Sequence, residues 1–506
     1  MNDERDDPNP VLQARLANTT DEARPDAVAK RHARGGRTAR ENLADLTDGA
    51  AISEYGQLAV AAQRSRREGD ALYADTAADA VITAVGPVNG DLFTAGQSQT
   101  AMIVNDYSVL AGTQGYFHHR KIDRLLEIAQ AECLPVVMYT EGGGGRPGDT
   151  DVLVSMAGLN VPTFHRWAAL AGRVPRIAVN HGYCFAGNAA LFGAADLRIA
   201  TEASCIGMAG PAMIEGGGLG TWKPQEIGPI SVHRQNGVVD IVVADEAEAT
   251  LVAKRVLACV QGSLSEWHEE DQAKLAALMP TNRRYAFDVR KIIHHLFDGT
   301  SFIETRPDMG RAVVTGLARI QGHAVAVLAS DCRHLGGAID GESAIKATAL
   351  YQLAERWRLP VISLIDTPGF MVGPDSEAAG APRLMSDLFI AGATLTQPIV
   401  AVFLRRAYGL GAMALAGGSF EVPRYAVSWP QGEFGAMGLE GAVQLGYRQE
   451  LAEAPDEKAR QALFDKLLAE MYAKGRAVEA ASYLEIDAVI QPHETRSAIS
   501  RALGAN

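Results

Sequence analysis

The sequence contains a copy of itself. Moved forward by 225 positions without a gap, Asp106 to Gly144 places Asp106 on Asp331, Lys121 on Lys346, Leu125 on Leu350, Ala129 on Ala354, Leu134-Pro135 on Leu359-Pro360 and Gly144 on Gly369. Upstream, Val81-x-Thr83 with Asn89-Gly90 echoes Val313-x-Thr315 with Gln321-Gly322. Downstream, Pro175 to Val179 echoes Pro398 to Val402 at an offset of 223. A register kept over this length describes one structural unit used twice. The 506 residues agree, because a single core stops growing near ~250–300. The expected division is a flexible tail over 1–27, a first domain over 28–268, a linker over 269–300 and a second domain over 301–506. The basic stretch Val28 to Leu46 reads as a solvated arm or helix.

Each copy carries the same order of elements. A strand hairpin turns at Asn89-Gly90 or Gln321-Gly322. A glycine loop follows, Gly112 to Gly115 or Gly336-Gly337. Next comes an amphipathic helix, with Ile122, Leu125, Leu126 and Ala129 on one face, or Ala347, Leu350, Tyr351 and Ala354. The helix stops before a proline. An apolar strand then runs into a second loop, Glu141 to Arg146 or Asp366 to Phe370. A further helix, strand and glycine loop complete the unit. Helices alternating with buried strands predict an α/β fold of βαβ units. Ligands in such folds sit at the carboxyl ends of the strands, where these loops lie.

Composition narrows the function. Lys plus Arg is 47 against 60 Asp plus Glu, a formal charge of −13. That argues against a general nucleic-acid binder and against an anionic membrane surface. Five cysteines without a C-x-x-C pair argue against a disulfide framework or zinc ribbon. No apolar run approaches the ~20 residues of a membrane span, and the acidic start is unlike a signal peptide. The expectation is a soluble cytoplasmic protein.

Familiar catalytic motifs are missing. The Gly142 to Gly148 run makes a poor dinucleotide loop, because Pro147 and Gly148-Asp149 open no helix. There is no P-loop and no G-x-S-x-G elbow. His118-His119 and His294-His295 are adjacent pairs that cannot face one ligand, so a surface or helix-end role is expected and no metal site. Asp106, Asp331, Lys121 and Lys346 recur in both copies, which favours architecture over chemistry. One kind of catalysis fits a site without a nucleophile or base: backbone N–H groups at glycine turns that stabilise an oxyanion. The loops Cys184 to Ala189 and Ala407 to Ala412 have that form. Tight strand–helix packing is the alternative for either loop alone; two related loops in register favour the catalytic reading.

These residues resemble the carboxyltransferase (β) subunits of biotin-dependent acyl-CoA carboxylases, such as propionyl-CoA and acetyl-CoA carboxylase. The resemblance runs from about Lys30 to Leu503. It is most specific at Ile365 to Phe370, Arg405 to Gly409, Trp429-Pro430 with Met437-Gly438, and Ile486 to Ile490 with Thr495-Arg496. It implies a tandem of two ClpP/crotonase-like ββα-superhelix domains and transfer of carboxylate from N-carboxybiotin to the α-carbon of an acyl-CoA. By this resemblance the Ala186 and Gly187 amides form the oxyanion hole for the thioester enolate, and Gly143, Gly144, Gly145 and Arg146 line the CoA side. Leu410 and Gly411 amides donate to the biotin ureido oxygen, with Thr367, Pro368, Gly369, Phe370, Tyr408 and Gly409 on the biotin side. The biotin anion left after decarboxylation takes the α-proton, which accounts for the missing base. A hexamer is implied, with the site shared between subunits.

The departures concern specificity. The family usually has Gly-Gly at Ala186-Gly187, often Gly at Leu410, and commonly an acidic or aliphatic residue at Met413. Met413 is expected to line the acyl or biotin pocket and to relax chain-length limits. No biotin-attachment motif of the Ala-Met-Lys-Met kind and no ATP-grasp region is seen. A biotin carboxylase and carrier are therefore expected on a partner or on another part of a longer polypeptide. Competing readings are a biotin-dependent acyl-CoA decarboxylase subunit, a biotin-free hydratase or hydrolase using Glu215 or Glu226, and a non-catalytic CoA-binding scaffold.

Overall fold

The computed structural model describes residues 9–151 and 159–504. The chain divides into two compact units, Met1–Gln261 and Gly262–Asn506. The first is built on a sheet of strands Ser53–Glu54, Val81–Pro87, Gln99–Asn105, Val136–Tyr139, Arg176–Asn180, Leu197–Thr201 and Ile241–Val243, neighbours in that order. The second repeats the plan with Ile303–Thr305, Val313–Ile320, His323–Ser330, Val361–Thr367, Ile399–Tyr408, Tyr425–Ser428 and Ala488–Val489. In both, the first three strands run antiparallel and each later neighbour runs parallel. Strand order follows chain order, so every crossover steps the same way and the chain winds as a spiral around its sheet.

The apolar patterns bury as expected. Val136 to Tyr139 and Val361 to Thr367 are buried at every position. Helices Tyr116–Glu132 and Gly341–Trp357 turn Ile122, Leu125, Leu126, Ala129 and Ala347, Leu350, Tyr351, Ala354 inward. Each ends on a left-handed residue, Cys133 or Arg358, just before the Leu-Pro that opens the next strand. The repeated lysines are architectural. Lys121 Nζ donates to Ala78 O at 2.8 Å and to Val81 O. Lys346 Nζ donates to Met309 O at 3.1 Å and Val313 O at 2.9 Å. Buried polar groups need partners, and each lysine supplies donors to backbone carbonyls. Asp106 pairs with Arg24 at 2.8 Å, and Asp331 with Arg290 at 2.6 Å.

Four expectations are corrected. Residues 269–300 are no linker: Leu275, Phe287, Val289, Ile292, Ile293, Leu296 and Phe297 belong to the second unit's core. Within the expected tail over 1–27 the described residues form helices, Asn9–Ala17 and the start of Pro25–His32, and Arg24 is held by the part-buried Asp106 pair. The hairpin expected at Asn89-Gly90 is a longer loop, because Pro87 pairs with Gln99; the Asn89 amide instead donates to Lys254 O and Gln261 Oε1. In the second unit Ile320 pairs with His323, so Gln321-Gly322 is the two-residue turn, at φ 51 and 78. His118 has the helix-end place expected, in the first turn of Tyr116–Glu132, but is buried rather than at the surface, with Nδ1 3.0 Å from Asp79 O. Among the described residues no helix is long and apolar enough to cross a membrane.

Candidate active site: two glycine-loop cradles

The carboxyl end of one strand carries an acid in each unit, Glu141 and Asp366, at the repeat offset. Asp366 is 0% exposed. It accepts from Arg405 Nη2 at 2.7 Å, from Arg406 Nε at 2.8 Å and from the Arg406 backbone N–H at 3.0 Å. Burial drives its pKa up, but these hydrogen bonds outweigh burial and hold it below the usual range. Glu141 is held by Arg31 at 2.6 Å and by His181 Nδ1 at 3.2 Å. The glycine loop ahead of the helix presses on the same strand end. A Cβ on Gly112 would lie 2.7 Å from Glu141 O, and one on Gly337 would lie 2.7 Å from Asp366 O. Only glycine permits that approach. Gln114 bridges Gly145 as Ile339 bridges Phe370, and Gly142 bridges Cys184 as Thr367 pairs Ala407.

The second glycine loop closes each cradle. Strands Tyr183–Phe185 and Ile399–Tyr408 end on a residue with positive φ, Ala186 at 52° and Gly409 at 58°. Helices Gly187–Gly193 and Gly409–Leu415 start there. First-turn amides have no acceptor inside their helix, so Gly187, Leu410 and Gly411 present N–H groups. Ala186 does not. Its N–H donates to Gly207 O at 2.9 Å, where Phe185 pairs with Gly207 in a short parallel strand pair. Of the two amides expected here, Ala186 is therefore engaged within the protein and Gly187 is the one that presents its N–H. Leu410 is 61% exposed while Gly411 is buried.

The other expected residues divide. Gly143 donates to Ala111 O and Gly144 to Asn188 Oδ1, so both shape the loop. Among the described residues nothing lies within 4 Å of where a Cβ on Gly145 would point. The Arg146 guanidinium turns inward, to Asp79 and to Asp149 at 2.8 Å. Thr367 Oγ1 donates to Gly337 O and accepts from Gly369 N–H, bracing the turn. Phe370 packs edge-on against Phe389. Pro368 and Tyr408 line a cavity of about 320 Å³ with Arg406, Glu433 and Tyr472. Tyr408 donates to Glu433 at 2.9 Å; burial and that carboxylate raise its pKa. Gly409 and Met413 line an apolar cavity of about 770 Å³ with Phe434, Met437 and Met471. Glu226 caps the Lys223 amide and Glu215 is exposed, so neither is poised as an acid or base.

The arm Val28 to Leu46 is more than a solvated helix. Arg31 reaches Glu141 and Glu246, with His181 3.4 Å from Glu246 and Asn42 donating to Glu246 at 2.7 Å. Burial raises the Glu246 pKa, but His181, Asn42 and Arg31 outweigh it and bring it to about 2. A depressed carboxylate stabilises the fold above its unfolded pKa, and that share is lost as pH falls from about 4.5 towards 2. Glu246→Gln is therefore expected to cost about 2–4 kcal/mol at pH 7. The difference from the parent should vanish across that acid window in urea titrations at stepped pH.

Comparison with known proteins decides the family. The family described as Carboxyl transferase domain matches residues 30–506. The chain belongs to the carboxyl transferase family. This carboxyl transferase is 28% identical over 505 residues to the propionyl-CoA carboxylase beta chain of Saccharopolyspora erythraea, covering 94% of this chain and 89% of that one. Its fold is similar to a single-chain, multi-domain long-chain acyl-CoA carboxylase, with TM-score 0.92 and 50% identity. That likeness covers 98% of this chain but 49% of the other, so this carboxyl transferase spans about half its length. The hexameric transcarboxylase 12S, solved with methylmalonyl-CoA bound, is similar with TM-score 0.85 and 25% identity over 98% of this chain.

Proposed function

We propose that this carboxyl transferase moves carboxylate from N-carboxybiotin on a carrier to the α-carbon of an acyl-CoA. The observation that carries this is the duplicated cradle: an apolar strand ending in a held carboxylate, a glycine turn, and a helix start with unused amides. The fold reading is a tandem of crotonase-like domains, with acyl-CoA on the first and carboxybiotin on the second. In the first cradle Gly187 N–H takes the thioester oxygen. In the second, a Cβ on Gly411 would fall 2.7–2.9 Å from Gly369 and Phe370 backbone atoms, so only glycine lets the helix start close on that turn; Leu410 and Gly411 amides hold the ureido oxygen there. The cofactor supplies the activated carboxylate. We further propose a cytoplasmic homo-hexamer that works with a biotin carboxylase and biotin carrier. The test is ATP-dependent fixation of labelled bicarbonate with a biotinylated carboxylase partner and a panel of acyl-CoAs. Incorporation into acyl-CoA supports the proposal, and none with a carboxylated carrier overturns it.

Met413 is proposed as a specificity residue, because it faces the 770 Å³ apolar cavity, within the ~300–1,000 Å³ span of small-molecule sites. Met413→Asp puts a carboxylate into that cavity. It is expected to lower kcat/KM for long acyl-CoA relative to propionyl-CoA by about tenfold or more. An unchanged ratio removes Met413 from specificity.

A further inference from the structure

Gln114 is where the two copies differ in chemistry. Its backbone follows the repeat: the N–H donates to Gly144 O at 2.8 Å and the carbonyl accepts from Arg146 N at 2.9 Å. Its side chain does not. The second unit buries an isoleucine, Ile339, at the matching bridge position; the first buries a carboxamide that is 4% exposed. Among the described residues no hydrogen bond reaches that carboxamide, and its Nε2 is buried without an acceptor. The side chain lies against the start of the oxyanion helix. A Cβ on Gly187 would fall 2.1 Å from Gln114 Oε1 and 3.1 Å from Phe164 Cζ.

Native proteins satisfy buried amides. A position that only needed filling could hold an apolar residue, as Ile339 does. A half-turn of the carboxamide exchanges its oxygen and nitrogen ends, and no hydrogen bond from the described residues opposes that turn. It brings an N–H to the face beside Gly187. The Ala186 amide, spent on Gly207, leaves a place for a second donor there.

We propose that Gln114 is a catalytic residue: its side-chain N–H hydrogen-bonds the thioester oxygen of acyl-CoA as that oxygen gains enolate charge, beside the Gly187 amide. No bond forms or breaks at Gln114, which stays neutral throughout. The inference rests on the carboxyltransferase function above.

The test uses the full chain with methylmalonyl-CoA as carboxyl donor and free biotin as acceptor. Gln114→Leu keeps the volume and removes the unpartnered donor. Its Tm should hold or rise while kcat/KM falls about 10²–10³-fold, mainly in kcat. Gln114→Glu keeps the shape, places a carboxylate beside the oxyanion, and should fall at least as far. S-propyl-CoA, which lacks the carbonyl, should bind the parent and Gln114→Leu equally. A Gln114→Leu protein with parental kcat/KM, or one losing activity only in step with Tm, overturns the inference and leaves the function standing. A parent that turns over no carboxyacyl-CoA overturns both.

Discussion

Asp366→Ala is expected to cost about 3–5 kcal/mol of stability. Asp366 is fully buried and receives two guanidiniums, Arg405 and Arg406. Arg405 is itself buried and also donates to Arg283 O and Tyr285 O. Removing the acid leaves a buried cation against carbonyls that offset only part of its charge. For a unit of this size each kcal/mol moves Tm by about 2–4 °C, so a fall near 10 °C is expected. The exposed pair Arg383–Asp387 is the control. Asp387→Ala should change stability by less than about 1 kcal/mol. Differential scanning calorimetry of both variants checks the contrast; equal shifts would remove Asp366 as the strand-end anchor.

Gly411→Ala is expected to reduce carboxyl transfer about 100-fold or more with the fold intact. The added methyl would meet Gly369 C at 2.7 Å, Gly369 Cα at 2.8 Å and Phe370 N at 2.9 Å. These are backbone atoms, so no side chain can swing aside. The Thr367–Phe370 turn and the helix start must separate by several tenths of an ångström. Misplacement of reacting groups by about 1 Å costs on the order of 10²-fold. Gly96→Ala, an exposed position where nothing lies within 4 Å of the new Cβ, should keep parental activity. Steady-state rates and circular dichroism of the two variants separate a displaced cradle from a broken fold.

The repeat made most of the fold legible, because each copy checked the other. The strand, helix and loop order, the buried faces of the two long helices and the architectural lysines all follow from matching residues. The domain edges were harder. Residues 269–300 look polar and irregular along the chain, yet Leu275, Phe287 and the face of Val289–Leu296 are recruited by the core of the second unit. The cradles were legible as glycine loops, but the use of each amide and cation was not. Arg146 reads as a residue of the CoA side, but its guanidinium is held by Asp79, 67 positions away. Ala186 looked like a donor, but its partner Gly207 comes from a strand pairing that no local pattern announces. The Arg31, His181, Glu141 and Glu246 group joins four distant segments and left no spacing signal. Gln114 did leave one: a polar residue where the other copy has isoleucine.

The most direct measurement needs only this chain. Incubated with methylmalonyl-CoA or a longer 2-carboxyacyl-CoA, it should release the decarboxylated acyl-CoA when free biotin is added and not otherwise, read by mass spectrometry. Release that depends on biotin and is lost in Gly411→Ala is the predicted result. Release without biotin, or none with any carboxyacyl-CoA, would contradict the proposed carboxyl transfer.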